Sequence, residues 1–155
     1  MSLAVEPLIS SLNLTMSKLN PSADIFGTEF GRALDIYVRP IINITGGTFV
    51  SWADPTMSII SASRVLNPNS QVFAIQLGKI IETAFRSIYT RNQLSIKVPD
   101  GMLPGMFGSF FAQLNSSNQI LGAQLATAID GFARITIITS MDVTSGYTSV
   151  SGPIS

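Results

Sequence analysis

Three stretches of the chain open alike and then stay in register, and nothing else in the sequence restricts the possible folds as much. Leu19-Asn20-Pro21, Leu66-Asn67-Pro68 and Leu114-Asn115-Ser116 lie 47 and 48 residues apart. From these anchors LNPSADIFGTEFGRALDIYVR, LNPNSQVFAIQLGKIIETAFR and LNSSNQILGAQLATAIDGFAR align without a gap. A period of this length marks a supersecondary unit that cannot bury its apolar face alone and must stack on its own copies.

Each aligned stretch has helical spacing. In the middle copy Phe73, Leu77, Ile80, Ile81, Ala84, Phe85 and Ile88 form one continuous apolar face. The face recurs at Phe26, Phe73 and Leu121, at Phe30, Leu77 and Leu125, and at Leu34, Ile81 and Ile129. A shorter helix precedes each anchor, opened near Pro7, Pro55 and Pro104. In the middle copy Asp54 is expected as N-cap and Pro55 as first helical residue, since an Asp oxygen can take a free backbone N–H and proline lacks one there. That helix should reach Leu66, where Asn67-Pro68-Asn69 ends it and starts the next. β-prone runs follow each long helix at Ile41 to Thr45, at Leu94 to Val98 and at Ile135 to Thr139. The expected fold is mainly α, a helical bundle of three repeated helical hairpins with short β-like links. It forms a single domain over 1–155, with repeats 1–47, 48–100 and 101–155.

Two further patterns recur in the long helices. An acid stands four residues before an arginine in each: Asp35 with Arg39, Glu82 with Arg86, Asp130 with Arg134. On an exposed face such an intrahelical pair contributes about 0.3–0.5 kcal/mol, and the plain expectation is a solvated stripe. The sharper one is a contact between neighbouring subunits. Small residues recur four apart, at Gly27 and Gly31, Ala74 and Gly78, Gly122 and Ala126, a spacing that lets another helix approach closely. These helices are short and carry charges, so close packing in a bundle accounts for the pattern better than membrane spans do.

Composition points to association. Only 12% of the residues are charged, against 46% apolar, and the net charge is zero. A monomer with so little charge shows water an unusually apolar surface, and burial against copies of itself is the economical explanation. No run of 18 or more apolar residues suggests a membrane span, and the opening MSLAVEPLISS has neither the basic nor the apolar region of a secretory signal. Zero net charge argues against a broad electrostatic footprint for nucleic acid.

Catalysis has little to work with. The chain has no His and no Cys, which removes the commonest general base, the usual zinc ligands and the thiol nucleophile. Three of the carboxylates belong to the acid–arginine pairs, and Asp54 and Glu6 stand at helix starts, where capping explains them. Thr45-Gly46-Gly47 is a glycine turn without a P-loop lysine, and no GxGxxG is present. Neither an enzyme nor a cofactor is expected. The sequons at Asn13, Asn43 and Asn115 are read as chance.

The stretch from Trp52 to Asp100 resembles the coat proteins of rod-shaped plant viruses of the tobamovirus type. The likeness is carried by Trp52-Ala-Asp-Pro55, by Leu66 eleven residues later, by Ile80-Ile81 through Phe85-Arg-Ser-Ile-Tyr89, and by the strand Gln93-Leu-Ser-Ile-Lys-Val-Pro-Asp100. Leu103 to Asn118 is similar to that family's third helix, the helix from Gln119 to its fourth, and Ser151-Gly-Pro153 to its exposed C-terminal tail. Two departures stand out. The family's long charged inner segment is reduced here to Asn115-Ser-Ser-Asn118, and residues 1–47 form an additional hairpin. The first bears on RNA binding more than on assembly.

The resemblance implies a structural, self-assembling subunit, a viral coat or capsid protein that forms a helical rod, tube or disk with itself as partner. It would reside in the virion, and in the host cytoplasm before assembly, with Asp142 to Ser155 outside. Single-stranded RNA is the other implied partner, with Arg64 and Arg91 as the cations best placed to meet it; otherwise the assembly is protein alone. The rival reading is a small helical repeat module that binds a peptide or an apolar ligand.

Overall fold

The computed structural model describes residues 4–17, 22–40, 49–67, 70–90, 95–113, 118–135, 137–141 and 148–153. The chain is mainly helical. Six helices lie among the described residues: α1 (Val5–Ser17), α2 (Ala23–Val38), α3 (Thr56–Val65), α4 (Gln71–Arg86), α5 (Met102–Ala112) and α6 (Asn118–Ile135).

Their ends follow local chemistry. Pro7 and Pro104 are the third residues of α1 and α5, within the first turn, where a backbone N–H has no helical acceptor and its loss costs nothing. The expected cap of α3 is displaced by one residue: Pro55 is the N-cap and offers no side-chain acceptor, and the helix starts at Thr56, while Asp54, just before the cap, accepts from the Thr56 amide at 2.9 Å and the Thr56 hydroxyl at 2.6 Å. The next helix is capped by Ser70, whose Oγ accepts from the Phe73 amide at 3.1 Å, rather than by the asparagines of Asn67-Pro-Asn. Ser22 does the same for α2 through the Ile25 amide at 3.2 Å.

Among the described residues five short strands, β1 (Phe49–Ser51), β2 (Tyr89–Thr90), β3 (Ser95–Lys97), β4 (Ile137–Met141) and β5 (Thr148–Pro153), accompany the helices. β1 pairs antiparallel with β2, and β3, β4 and β5 form an antiparallel sheet in that order. The second and third β-prone runs thus supply β3 and β4. The first, Ile41 to Thr45, lies outside the described residues. In the tail β5 is hydrogen-bonded to β4, with Pro153 opposite Ile137 and Val150 opposite Ser140.

Each helix packs on its neighbours in the chain, and α6 returns to α1. The closest of these contacts are α2 with α3, α4 with α5, and α6 with α1, and all three are made at glycine. A β-carbon at Gly78 would fall 2.5 Å from the Pro104 nitrogen and 2.7 Å from the Leu103 carbonyl carbon; at Gly122 it would fall 2.8 Å from the Asn13 nitrogen. At Gly27 it would meet the Ile60 nitrogen at 2.9 Å, and at Gly31 it would overlap the Thr56 side chain. Ala74 and Ala126, the other members of the small-residue pattern, are fully buried.

One core fills the interior. Phe30, Leu77 and Leu125 are fully buried, as are Leu34, Ile81 and Ile129. Aromatic rings join the long helices through like ends: Phe26 meets Phe73 with centroids 5.8 Å apart, and Phe85 meets Phe132 edge-on at 5.2 Å. Of the apolar face of α4 only Ile80 is not fully buried; it lies at the rim of the core.

Leu77→Ala should lower unfolding stability by about 2–5 kcal/mol, and a loss below about 1 kcal/mol in urea titration would place Leu77 on the wrong face. Glycines provide a second check through the sign of the effect. Gly78→Ala forces a side chain into the α5 backbone and should cost about 1–3 kcal/mol. Gly131→Ala, where a β-carbon meets nothing within 4 Å, should instead stabilise α6 by roughly 0.5–1 kcal/mol.

Candidate functional site

The three recurring acid–arginine pairs all form within their helices, but the acids do more than face water. Asp35 accepts from Arg39 at 2.6 Å through Oδ2, while its Oδ1 accepts from the Trp52 indole N–H at 3.3 Å. Asp130 accepts from Arg134 Nε at 2.7 Å through Oδ2, and Oδ1 accepts from the Tyr37 hydroxyl at 2.6 Å. Glu82 is 2% exposed. Its Oε2 accepts from the Gly101 amide at 3.0 Å and its Oε1 from the Leu103 amide at 2.8 Å, with Arg86 3.7 Å away.

The expectation of a solvated stripe is corrected accordingly: it describes the arginines, which are exposed, and not the acids. Each carboxylate holds its own arginine on one side and a donor from another part of the chain on the other. Glu82 is the clearest case. α5 starts at Gly101, which has positive φ and no side chain to cap the helix, so the orphan amides of its first turn take their acceptor from α4. A carboxylate also suits the partial positive charge at a helix N-terminus.

Tyr37 is held neutral. Burial first, then its hydrogen bond to Asp130 and the charge of that carboxylate, push its phenol well above the ordinary value. Ionising it would put an anion in a desolvated site beside another anion.

The cations named for RNA fare differently. Arg64 bonds Asp24 of α2 at 2.6 and 3.1 Å, an exposed ion pair of the sort that contributes roughly 0–1 kcal/mol. Arg91 lies outside the described residues. Arg86 also reaches Asp100 at 2.7 Å. The described arginines at 39, 64, 86 and 134 therefore all have acid partners within the chain. Asn13, the first of the sequons, lies in α1 with its Oδ1 buried against the α6 backbone at Gly122.

Apolar grooves run along the outside between helices adjacent in the chain. The one between α3 and α4, about 590 Å³, is lined by the apolar Met57, Ala62, Val65, Leu66 and Ile80 and by the polar Ser58, Ser61 and Gln76. The one between α5 and α6, about 370 Å³, is lined by Met106, Phe110, Ile120, Ala123, Gln124 and Thr127. Among the described residues no group of three or more Asp or Glu could hold a metal ion, and no helix is long and apolar enough to cross a membrane.

Sequence reasoning missed a repeated surface feature. Ile25, Val72 and Ile120 occupy the same aligned position, one residue before the core positions Phe26, Phe73 and Leu121, and all three are exposed. The signal was an aliphatic residue just off the buried face in every copy. In comparisons with protein-family models, curated proteins and solved structures, nothing matched this chain.

Glu82→Ala should cost about 1–3 kcal/mol for each of the two amides left without an acceptor, whereas Asp35→Ala, which removes a partly exposed pair, should cost less; chemical denaturation of both variants measures the difference. Tyr37 gives a pH signature. With its folded pKa raised above about 10, its contribution is complete below pH 10 and is lost as pH rises toward the folded value, at up to about 1.4 kcal/mol per pH unit. Stability measured from pH 9 to 11 should therefore fall less steeply in Tyr37→Phe than in the parent protein.

Proposed function

We propose that the chain is a structural, non-enzymatic subunit that polymerises with itself, built from three copies of a helical hairpin joined by short extended links. The observation that carries this reading is the aliphatic residue at aligned positions 25, 72 and 120, which is 50–61% exposed in each long helix while the adjacent residue is in the core. A monomer gains nothing from keeping apolar surface at three equivalent places. A subunit that meets its neighbours with those faces does. The low charge content and the neutralisation of the described arginines at 39, 64, 86 and 134 within the chain favour the same reading, since few charges remain to oppose association.

Within this reading the likeness of Trp52 to Asp100 to rod-shaped plant virus coats makes a coat protein the most specific form of the proposal, with the virion as its place and the host cytoplasm before assembly. The pairing of Arg64 with Asp24 weighs against a strong RNA track, and a protein-only wall is the form we favour. The rival, a module binding a peptide or an apolar ligand, has the groove between α5 and α6 in its favour, where the buried Gln124 carboxamide oxygen has no hydrogen-bond partner.

Sedimentation should show association that grows with protein concentration, and the triple variant Ile25→Ser, Val72→Ser, Ile120→Ser should weaken it without lowering the unfolding midpoint. Negative-stain microscopy with the 260/280 nm absorbance ratio reads particle form and nucleic acid content together. A 16.6 kDa species alone at every concentration, pH and salt would overturn the reading.

A further inference from the structure

The dipeptide Asp-Gly occurs twice in the chain, at Asp100-Gly101 and at Asp130-Gly131. Such a pair can react with itself: the backbone nitrogen after the aspartate attacks the side-chain carboxyl carbon, and glycine has no β-carbon to hinder the approach. At residue 101 nothing stands within 4 Å of where a β-carbon would be, and the Asp100 side chain is 91% exposed. Sterically the site is open.

Two bonds restrain the reacting groups. The Gly101 amide donates to Glu82 Oε2 at 3.0 Å, and Asp100 Oδ1 accepts from Arg86 at 2.7 Å. The second is an ion pair in water and holds weakly. The first ends on a carboxylate that is 2% exposed, where a lost donor leaves a desolvated charge short of a partner. Glu82 is therefore the stronger restraint, and it acts on the attacking nitrogen. To attack, that nitrogen must turn its face toward the Asp100 side chain. With the Leu103 amide held by Glu82 Oε1 at 2.8 Å as well, the peptide plane at Gly101 cannot turn without lifting the start of α5 from α4.

The other pair is restrained differently. Asp130-Gly131 lies inside α6, so the Gly131 amide is a rung of the helix ladder, and both Asp130 oxygens are taken, by Tyr37 and by Arg134. It is released only when α6 unwinds.

We propose that Asp100-Gly101 is a self-modification site, kept closed by Glu82 for as long as α5 is docked on α4. On release the Gly101 nitrogen bonds to the Asp100 carboxyl carbon, the C–O bond of the protonated carboxyl breaks, and its hydroxyl leaves with the amide proton as water. Water then opens the five-membered succinimide. Addition at the side-chain carbonyl restores aspartate, and addition at the main-chain carbonyl gives isoaspartate, unchanged in mass but with one more carbon in the backbone. That carbon displaces residues 101–103 relative to Glu82, so the carboxylate no longer meets both amides and α5 does not dock as before. The change runs one way and marks any chain in which the start of α5 has stayed open. The inference is independent of the self-assembly reading.

Peptide mapping of the full-length protein, incubated near neutral pH with or without concentrated urea, separates isoaspartyl from aspartyl peptides of equal mass and reads both sites in one sample. In the folded parent Asp100 should isomerise about tenfold or more slower than in urea, since protection follows the free energy of local opening. In folded Glu82→Ala the Asp100 rate should rise about fivefold or more while Asp130 stays slow, because local release frees one site and global unfolding frees both. Where Glu82→Ala does not fold, the parent in urea below its unfolding midpoint decides: Asp100 should accelerate there and Asp130 only through the midpoint. The inference is overturned if Asp100 isomerises as fast in the folded parent as in concentrated urea, if folded Glu82→Ala leaves its rate unchanged, or if the two sites accelerate together below the midpoint.

Discussion

The approach of a long helix to the short helix beside it, backbone against backbone at glycine, is the constraint from which the rest of this molecule follows. At Gly27, Gly78 and Gly122 even one methyl group would collide with the main chain opposite. Such proximity maximises dispersion contact, but it also pushes water away from backbone amides at the start of the neighbouring helix. Those donors then need acceptors from within the chain. Glu82 supplies both at α5, one from each carboxylate oxygen. Close packing and the buried carboxylate are two sides of one requirement.

The three acids occupy the same aligned position and share a division of labour, although their partners differ chemically: an indole N–H, two backbone amides and a phenol. In each case an arginine one turn later balances the charge from the solvent side, so the acid can turn inward without an unpaired anion being buried. A neutral donor inside and a cation outside is an arrangement that tolerates drift in the inner partner, because any group with one polar hydrogen serves.

How much of this could be read from residues alone depended on whether the cause was local. The helices, their apolar faces and the core positions at Phe30, Leu77 and Leu125 were legible because periodicity in the sequence is periodicity on the helix surface. The recurrence of small residues pointed correctly to close approach, since nothing else requires Gly27 and Gly31, or Gly78, inside a helix. What escaped was decided by partners far along the chain. Nothing near Glu82 reveals that it is buried under residues 101–103, nothing near Arg64 that Asp24 faces it, and nothing in the Ser- and Thr-rich tail that β5 finds β4. The spacing that made Glu82 and Arg86 look like a surface pair was real, yet it described only one half of the carboxylate's surroundings. The exposed aliphatic at 25, 72 and 120 was visible in the alignment but could not be told from the core until the neighbouring position had been placed inside.

The return of α6 to α1 has a consequence for how the chain comes to its final form. α1 precedes α6 by four other described helices, so the closest contact of α1 joins residues more than a hundred positions apart. Contacts of long sequence separation are slow to form, because a large loop must be closed before they reward it. During synthesis α1 can rest on α2 alone, with the surface around Asn13 still open to solvent. The same closure means that α1 and α6 are held together by packing, with no short peptide link between them. Linking residues 4 and 153 and opening the chain between α2 and α3, or between α4 and α5, would leave every helix with the neighbours it has now, and would change only which contact has to wait longest.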